Sequence, residues 1–177
     1  MTHPNSISVD QILVIKEFSD FLNSARNFCL FIETERSLTE NEFLLLTQNH
    51  LLTLYSTARL IPSVILKSDK DFEVKIPRDE LKSLLKFIAD RVPFSYYWAV
   101  LNPVDNEKLA ETGTGDLVDD LGDTYADLKE ALIMFDKDDI DAQENAIWKF
   151  KFDFDNHWGE HCIEALYAIH HYFYANR

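Results

Sequence analysis

Two stretches of this chain hold side chains able to do chemistry together. One is His157-Trp158-Gly159-Glu160-His161, and the other is the acidic run Asp119 to Glu130, reading Asp-Asp-Leu-Gly-Asp-Thr-Tyr-Ala-Asp-Leu-Lys-Glu. Neutral imidazoles four residues apart on a helix reach one transition-metal ion, and carboxylates from a facing helix complete its shell. Asp120, Asp123 and Asp127 fall at i, i+3 and i+7, so they share a helix face and are the natural carboxylate donors. The plainer reading is that each histidine donates to a buried carboxylate or carbonyl and fixes helix packing.

The five residues also match the inverzincin pattern His-x-x-Glu-His, in which two histidines hold zinc and the glutamate activates water. That class takes a third ligand from far downstream, but only sixteen residues follow His161. Other templates fail more plainly. There is no Glu-x-x-His pair for a di-iron bundle and no Glu-x-x-Glu of the kind helical nucleotide pyrophosphohydrolases use. Asp136-Lys-Asp138 starts like a calcium loop, yet Ile140 and Asp141 stand where a ligand and a glycine are needed. No phosphate-binding glycine loop, Gly-x-Ser-x-Gly elbow or Cys/His nucleophile pair occurs.

Charge is concentrated around the same residues. Between Asp105 and Glu164 there are eighteen acids and five bases, so that stretch carries −13 of the net −14. Such a surface repels phosphate backbones and anionic headgroups, which excludes general binding to nucleic acid or membranes and suits a basic protein partner or bound cations.

The elements that must position these residues read as helices. The chain has only four glycines and five prolines in 177 residues, favouring a few long helices in one domain spanning residues 1–177. Ser8-x-x-Gln11 is a capping box opening an amphipathic helix that runs through Phe18, Phe21, Ala25, Phe28, Cys29 and Ile32. Thr39-x-x-Glu42 opens a second helix, stopped near Ile61 by Pro62, and Pro77 starts a third that ends near Asp90. A long ordered connector is expected over about 92–115, with a hinge at Gly113-Thr114-Gly115. Asp116 to Phe135 is the clearest helix, its stripe formed by Leu117, Leu121, Tyr125, Leu128, Leu132 and Phe135. A last helix is expected from Asp139 to Tyr174, passing through the alternating Lys149-Phe-Lys-Phe-Asp-Phe-Asp155 despite its strand-like period.

Cys29 and Cys162 sit apart in apolar-periodic segments and read as buried free thiols. With no basic, apolar leader and no window near eighteen uninterrupted apolar residues, a cytoplasmic location is expected. His50 reads as a core residue, Trp158 and Gly159 as an anchor beside a close helix contact, and Tyr167, Tyr172, Phe173 and Tyr174 as an aromatic contact surface.

Three blocks, Tyr97-Trp98-x-Val100-x-x-Pro103, Asp119-Asp120-Leu121-x-Asp123-x-Tyr125-x-Asp127-Leu128-Lys129, and His157-Trp158-Gly159 leading into Ala165-Leu166-x-x-x-His170, resemble the bacterial domain of unknown function 5063 family. The resemblance extends to Phe28 through Glu33, to Leu54-Tyr55 and to Ile61-Pro62. It implies a small cytoplasmic all-helical protein with no assigned activity, and it carries over no catalytic residue. Within the last block the Trp-Gly pair is the steadier part, so the resemblance favours Asp120, Asp123, Tyr125 and Asp127 over the histidines for a shared role.

The expectation is therefore an all-α, single-domain irregular bundle of about five to six helices, with the acidic helix beside the last one. The leading functional reading is a non-enzymatic interaction module without a cofactor, which receives a basic protein through Asp116, Asp119, Asp120, Asp123, Tyr125 and Asp127. The alternative is a divalent-metal protein or metal-dependent hydrolase using His157 and His161 with aspartates of the acidic helix, Asp120 and Asp127 foremost. Two imidazoles and a carboxylate converging on one point would favour that alternative.

Overall fold

The computed structural model describes residues 8–34, 37–101, 103–104 and 111–174. Asn102 and residues 105–110, in the expected connector, lie outside them, as does the N-terminal segment 1–7. The described residues form seven helices and one two-stranded sheet, in the order α1 (Val9–Leu13), α2 (Lys16–Thr34), α3 (Glu40–Ala58), α4 (Arg78–Ala89), β1 (Tyr96–Leu101), β2 (Glu111–Asp116), α5 (Leu117–Phe135), α6 (Ile140–Asn156) and α7 (Trp158–Tyr174). The expected helical bundle is present. Both capping boxes form, Ser8 with Gln11 and Thr39 with Glu42.

Two expected helices are each divided, for reasons of phase. Ile12 is fully buried while Leu13 is partly exposed, and Ile12 to Phe18 is a step of six residues, about 120° away from a common stripe on an unbroken helix. The break at Val14 and Ile15 lets both residues enter the core. The second break falls at His157, whose φ of −148° and ψ of −88° end α6. It turns the chain so that Trp158 is wholly buried, within ring-contact distance of Phe21 and Phe154. Gly159 makes the turn possible, because a Cβ there would lie 2.2 Å from the Phe154 carbonyl oxygen.

The connector expectation needs a larger correction. Its described ends pair as an antiparallel hairpin in the register Tyr96↔Asp116 to Leu101↔Glu111. The Gly113-Thr114-Gly115 segment is strand, not hinge. Gly115 serves a close approach: the Tyr97 ring crosses the strand there, and a Cβ would sit 2.2 Å from Tyr97 Cζ. The link 61–77, between α3 and α4, has almost no regular structure and is held by two buried carboxylates. Glu144 accepts the Lys67 and Ser68 amides at 3.2 and 2.7 Å, and Glu130 accepts the Ile76 amide at 3.3 Å and pairs with Lys75 at 3.1 Å.

Helix α5 is the centre of the molecule, packed against α2, α4, α6 and α7. Its buried residues include Leu117, Leu121, Gly122, Thr124, Tyr125, Leu128, Ala131, Leu132 and Met134, and also Asp120 and Glu130. A helix covered on so many sides is a core helix in spite of its acids. Helix α7 lies beside it, as the sequence indicates. Among the described residues no helix is long and apolar enough to cross a membrane.

Gly159→Ala should cost about 2 to 3 kcal/mol in a urea titration, because the new methyl meets a backbone carbonyl. Gly122→Ala should cost less. Its Cβ would meet only Cδ2 of the Leu85 side chain, at 2.3 Å, and that terminus can swing aside.

Candidate functional site

The acidic residues of α5 face α6, α7 and the hairpin, and most are spent inside the bundle. Asp120 is 3% exposed, a burial a carboxylate tolerates only when its oxygens are occupied. One accepts the Tyr97 hydroxyl at 2.5 Å, and the other faces His161 Nδ1 at 2.9 Å. Asp127 meets His157 Nδ1 at 2.7 Å and lies 3.8 Å from Lys149, which also pairs with Asp153. Asp116 caps α5 by accepting the Val118 amide at 2.9 Å. Tyr125 is buried and donates its hydroxyl to Glu33, which also pairs with Lys129. Of the six acidic-face candidates, Asp119 alone is exposed.

Asp123 occupies the gap between the two histidines. One of its oxygens lies 3.5 Å from His161 Nε2, and the His157 and His161 rings stand edge to face with centroids 4.9 Å apart. One potential ligand atom from each of Asp123, His157 and His161 lies within 4.8 Å of the others. A second such set joins Asp120, His161 and Glu164, but the Asp120 oxygens already have partners. The helix break matters here. His157 ends α6 and His161 belongs to α7, so the His-x-x-Glu-His residues do not share one continuous helix. Glu160 is exposed and belongs to neither of these sets.

The electrostatics follow from this packing. The Asp120 hydrogen bond holds the His161 imidazole above its ordinary value against the opposing effect of burial, with Asp123 and Glu164 adding to the rise. Burial and neighbouring Asp119 push Asp123 up, against the pull of the two histidines. Burial, reinforced by Asp120, drives the Tyr97 phenol far above its usual range. Both cysteines are buried free thiols pushed up to about 12 by desolvation, which leaves them unreactive as nucleophiles. His50 stacks on Phe31 at 4.6 Å and is lowered by burial, as befits a residue at the edge of the core.

The structure pairs the candidate metal residues, Asp127 with His157 and Asp120 with His161, and the set that holds both histidines takes Asp123 in place of those two aspartates. Sequence reasoning missed two participants. Tyr97 carries its signal in the Tyr-Trp block, and Lys149 is hidden in the alternating Lys-Phe stretch. Neither spacing reveals that a hairpin and α6 converge on α5.

A family model described as a domain of unknown function (DUF5063) matches residues 13–175. A comparison with curated proteins gave no match. Among solved structures, protein BF1032 from Bacteroides fragilis is similar at a TM-score of 0.80 and 20% identity, over 94% of this chain and 98% of that one. That likeness shows a shared fold.

Asp120→Ala should destabilise by about 2 to 3 kcal/mol, since it strands a tyrosine hydroxyl and an imidazole, whereas Asp119→Ala should change stability by less than about 0.5 kcal/mol. Denaturant titration of both variants checks this. A second test uses pH. Because His161 is raised above its ordinary 6.5, its ion pair contributes fully below that value and is lost as pH climbs through the folded one. In EDTA-treated protein the stability gap between wild type and His161→Gln should be widest in mildly acidic buffer and narrow toward alkaline pH.

Proposed function

The chain belongs to the DUF5063 family, a domain of unknown function, and from that premise we propose that this member binds one divalent transition-metal ion through Asp123, His157 and His161. The observation that carries the reading is the 3.5 Å gap between His161 Nε2 and the Asp123 oxygen. With Nδ1–H given to Asp120, a neutral His161 turns an Nε2 lone pair toward a carboxylate, so two acceptors face each other. A proton or a cation must stand between them. Two ligands bound at about 2.0 to 2.1 Å to one tetrahedral ion lie about 3.4 Å apart, which this gap matches.

Asp120 and Asp127 are the orienting carboxylates in this reading. Each takes the Nδ1 side of one histidine, fixing ring and tautomer and leaving Nε2 as the donor to metal. The His157 ring makes no other hydrogen bond among the described residues, so its Nε2 is available. Three protein ligands would leave one position for water, the form of catalytic zinc sites. With Glu160 exposed, metal binding has more support than hydrolysis. The basic-partner reading has less, because, of the acids it relies on, all but the exposed Asp119 have partners within the fold.

The test uses untagged protein stripped with EDTA, titrated calorimetrically with zinc and cobalt and followed by thermal shift. One equivalent should bind and raise the melting temperature, since the ion binds only the folded arrangement. Asp123→Asn and His157→Ala should abolish this binding, and Asp127→Asn should weaken it about 10- to 100-fold. A melting temperature indifferent to every ion would reduce the cluster to His–carboxylate clamps.

A further inference from the structure

A cleft of about 600 Å³ lies between β1 and α7, and Asp123, His157 and His161 are not among its lining residues. Its aromatic walls come from Tyr55, Tyr97, Phe154 and Tyr167, and its carboxylates are Asp155, Glu160 and Glu164. Among the described residues no lysine, arginine or histidine lines it, although Lys151 Nζ comes within 5.3 Å of the Phe154 ring centroid. A hollow of this size suits a small organic molecule, and its mostly apolar wall with a few polar groups is the usual composition of a ligand site.

The charges decide what kind of molecule fits. Asp155 is already paired with Lys151. Glu160 and Glu164 stand one turn apart on α7, a like-charged pair that opposes itself, and neither carboxylate makes a hydrogen bond or ion pair among the described residues. Glu164 is raised first by burial and then by the charges of Asp120 and Glu160, with only His161 acting in the other direction. An acid crowded by other acids beside tyrosine and phenylalanine rings is the setting in which an ammonium group is favoured, by the carboxylate and by the ring faces together.

We infer that the cleft between β1 and α7 binds a small amphipathic organic cation, its ammonium group beside Glu164 and Glu160 and its apolar body among Tyr55, Phe154 and Tyr167. The inference goes beyond the metal site and does not depend on it. An anionic or zwitterionic metabolite is excluded by the same carboxylates, and a neutral apolar ligand would leave them unmatched.

Three probes with one body and different charge separate these cases: 4-phenylbutylammonium, 4-phenylbutan-1-ol and 4-phenylbutyrate. Titration is calorimetric, on EDTA-treated full chain, so failure here stays distinct from failure of metal binding. The ammonium should bind at least about tenfold more tightly than the alcohol, and the carboxylate should not bind. Glu164→Gln should bring the ammonium down to the level of the alcohol without altering the alcohol, and Tyr167→Ala should weaken both. Both substitutions are at incompletely buried positions, and unchanged melting curves will confirm that the variants fold. Equal affinity for ammonium and alcohol, preference for the carboxylate, indifference to Glu164→Gln, or no binding of any probe would each overturn the inference.

Discussion

Everything in this fold answers to the burial of an acidic helix. Helix α5 carries Asp119, Asp120, Asp123, Asp127 and Glu130, yet it is the element against which α2, α4, α6 and α7 all pack. A carboxylate taken out of water costs several kcal/mol unless it is matched by hydrogen bonds and opposite charge. The surrounding elements supply those matches: Tyr97 from β1 and His161 from α7 for Asp120, His157 and Lys149 for Asp127, Lys75 and the Ile76 amide for Glu130. Each pairing also fixes where its own element sits, because a buried acid left unpartnered costs more than most packing defects.

The irregular parts of the chain make sense as devices for these pairings. The hairpin brings Tyr97 over Gly115 and down onto Asp120. The break at His157 lets Trp158 fill the core while both imidazoles stay beside α5. Even the unstructured link at 61–77 is tied to α5 and α6 through the paired buried acids Glu130 and Glu144. The same requirement that stabilises the bundle therefore assembles an imidazole and carboxylate cluster at its surface, beside an acid-rimmed cleft that Tyr97 helps to wall.

Much of the fold was legible because local rules govern it. The capping boxes at Ser8 and Thr39, the stop before Pro62 and the stripe of α5 all express backbone hydrogen-bonding and periodicity that a few neighbouring residues decide. The hairpin was not legible. Tyr96 to Leu101 has strand-forming residues, but its partner Glu-Thr-Gly-Thr-Gly-Asp has two glycines and no alternating apolar face. What makes it a strand is pairing with β1 and the room Gly115 leaves for a ring, both of them nonlocal. The division at His157 was equally hidden, because apolar periodicity continues on both sides and only the need to bury Trp158 against Phe21 and Phe154 breaks it.

By itself, the sequence determined the helical class, the caps, the central importance of the Asp-Tyr-Asp helix and the residues worth watching. Its periodicity sets Asp120 and Asp127 beside the buried stripe, but it could not say how deeply the acids are covered. Helical periodicity places Asp120, Asp123 and Asp127 on one side of α5, but which side is solvent depends on how many helices pack around it. That was decided only in three dimensions, where α6, α7 and the hairpin cover the acidic face. A run that reads as a charged surface becomes a buried frame of ion pairs, because partners far away in the chain arrive to match it.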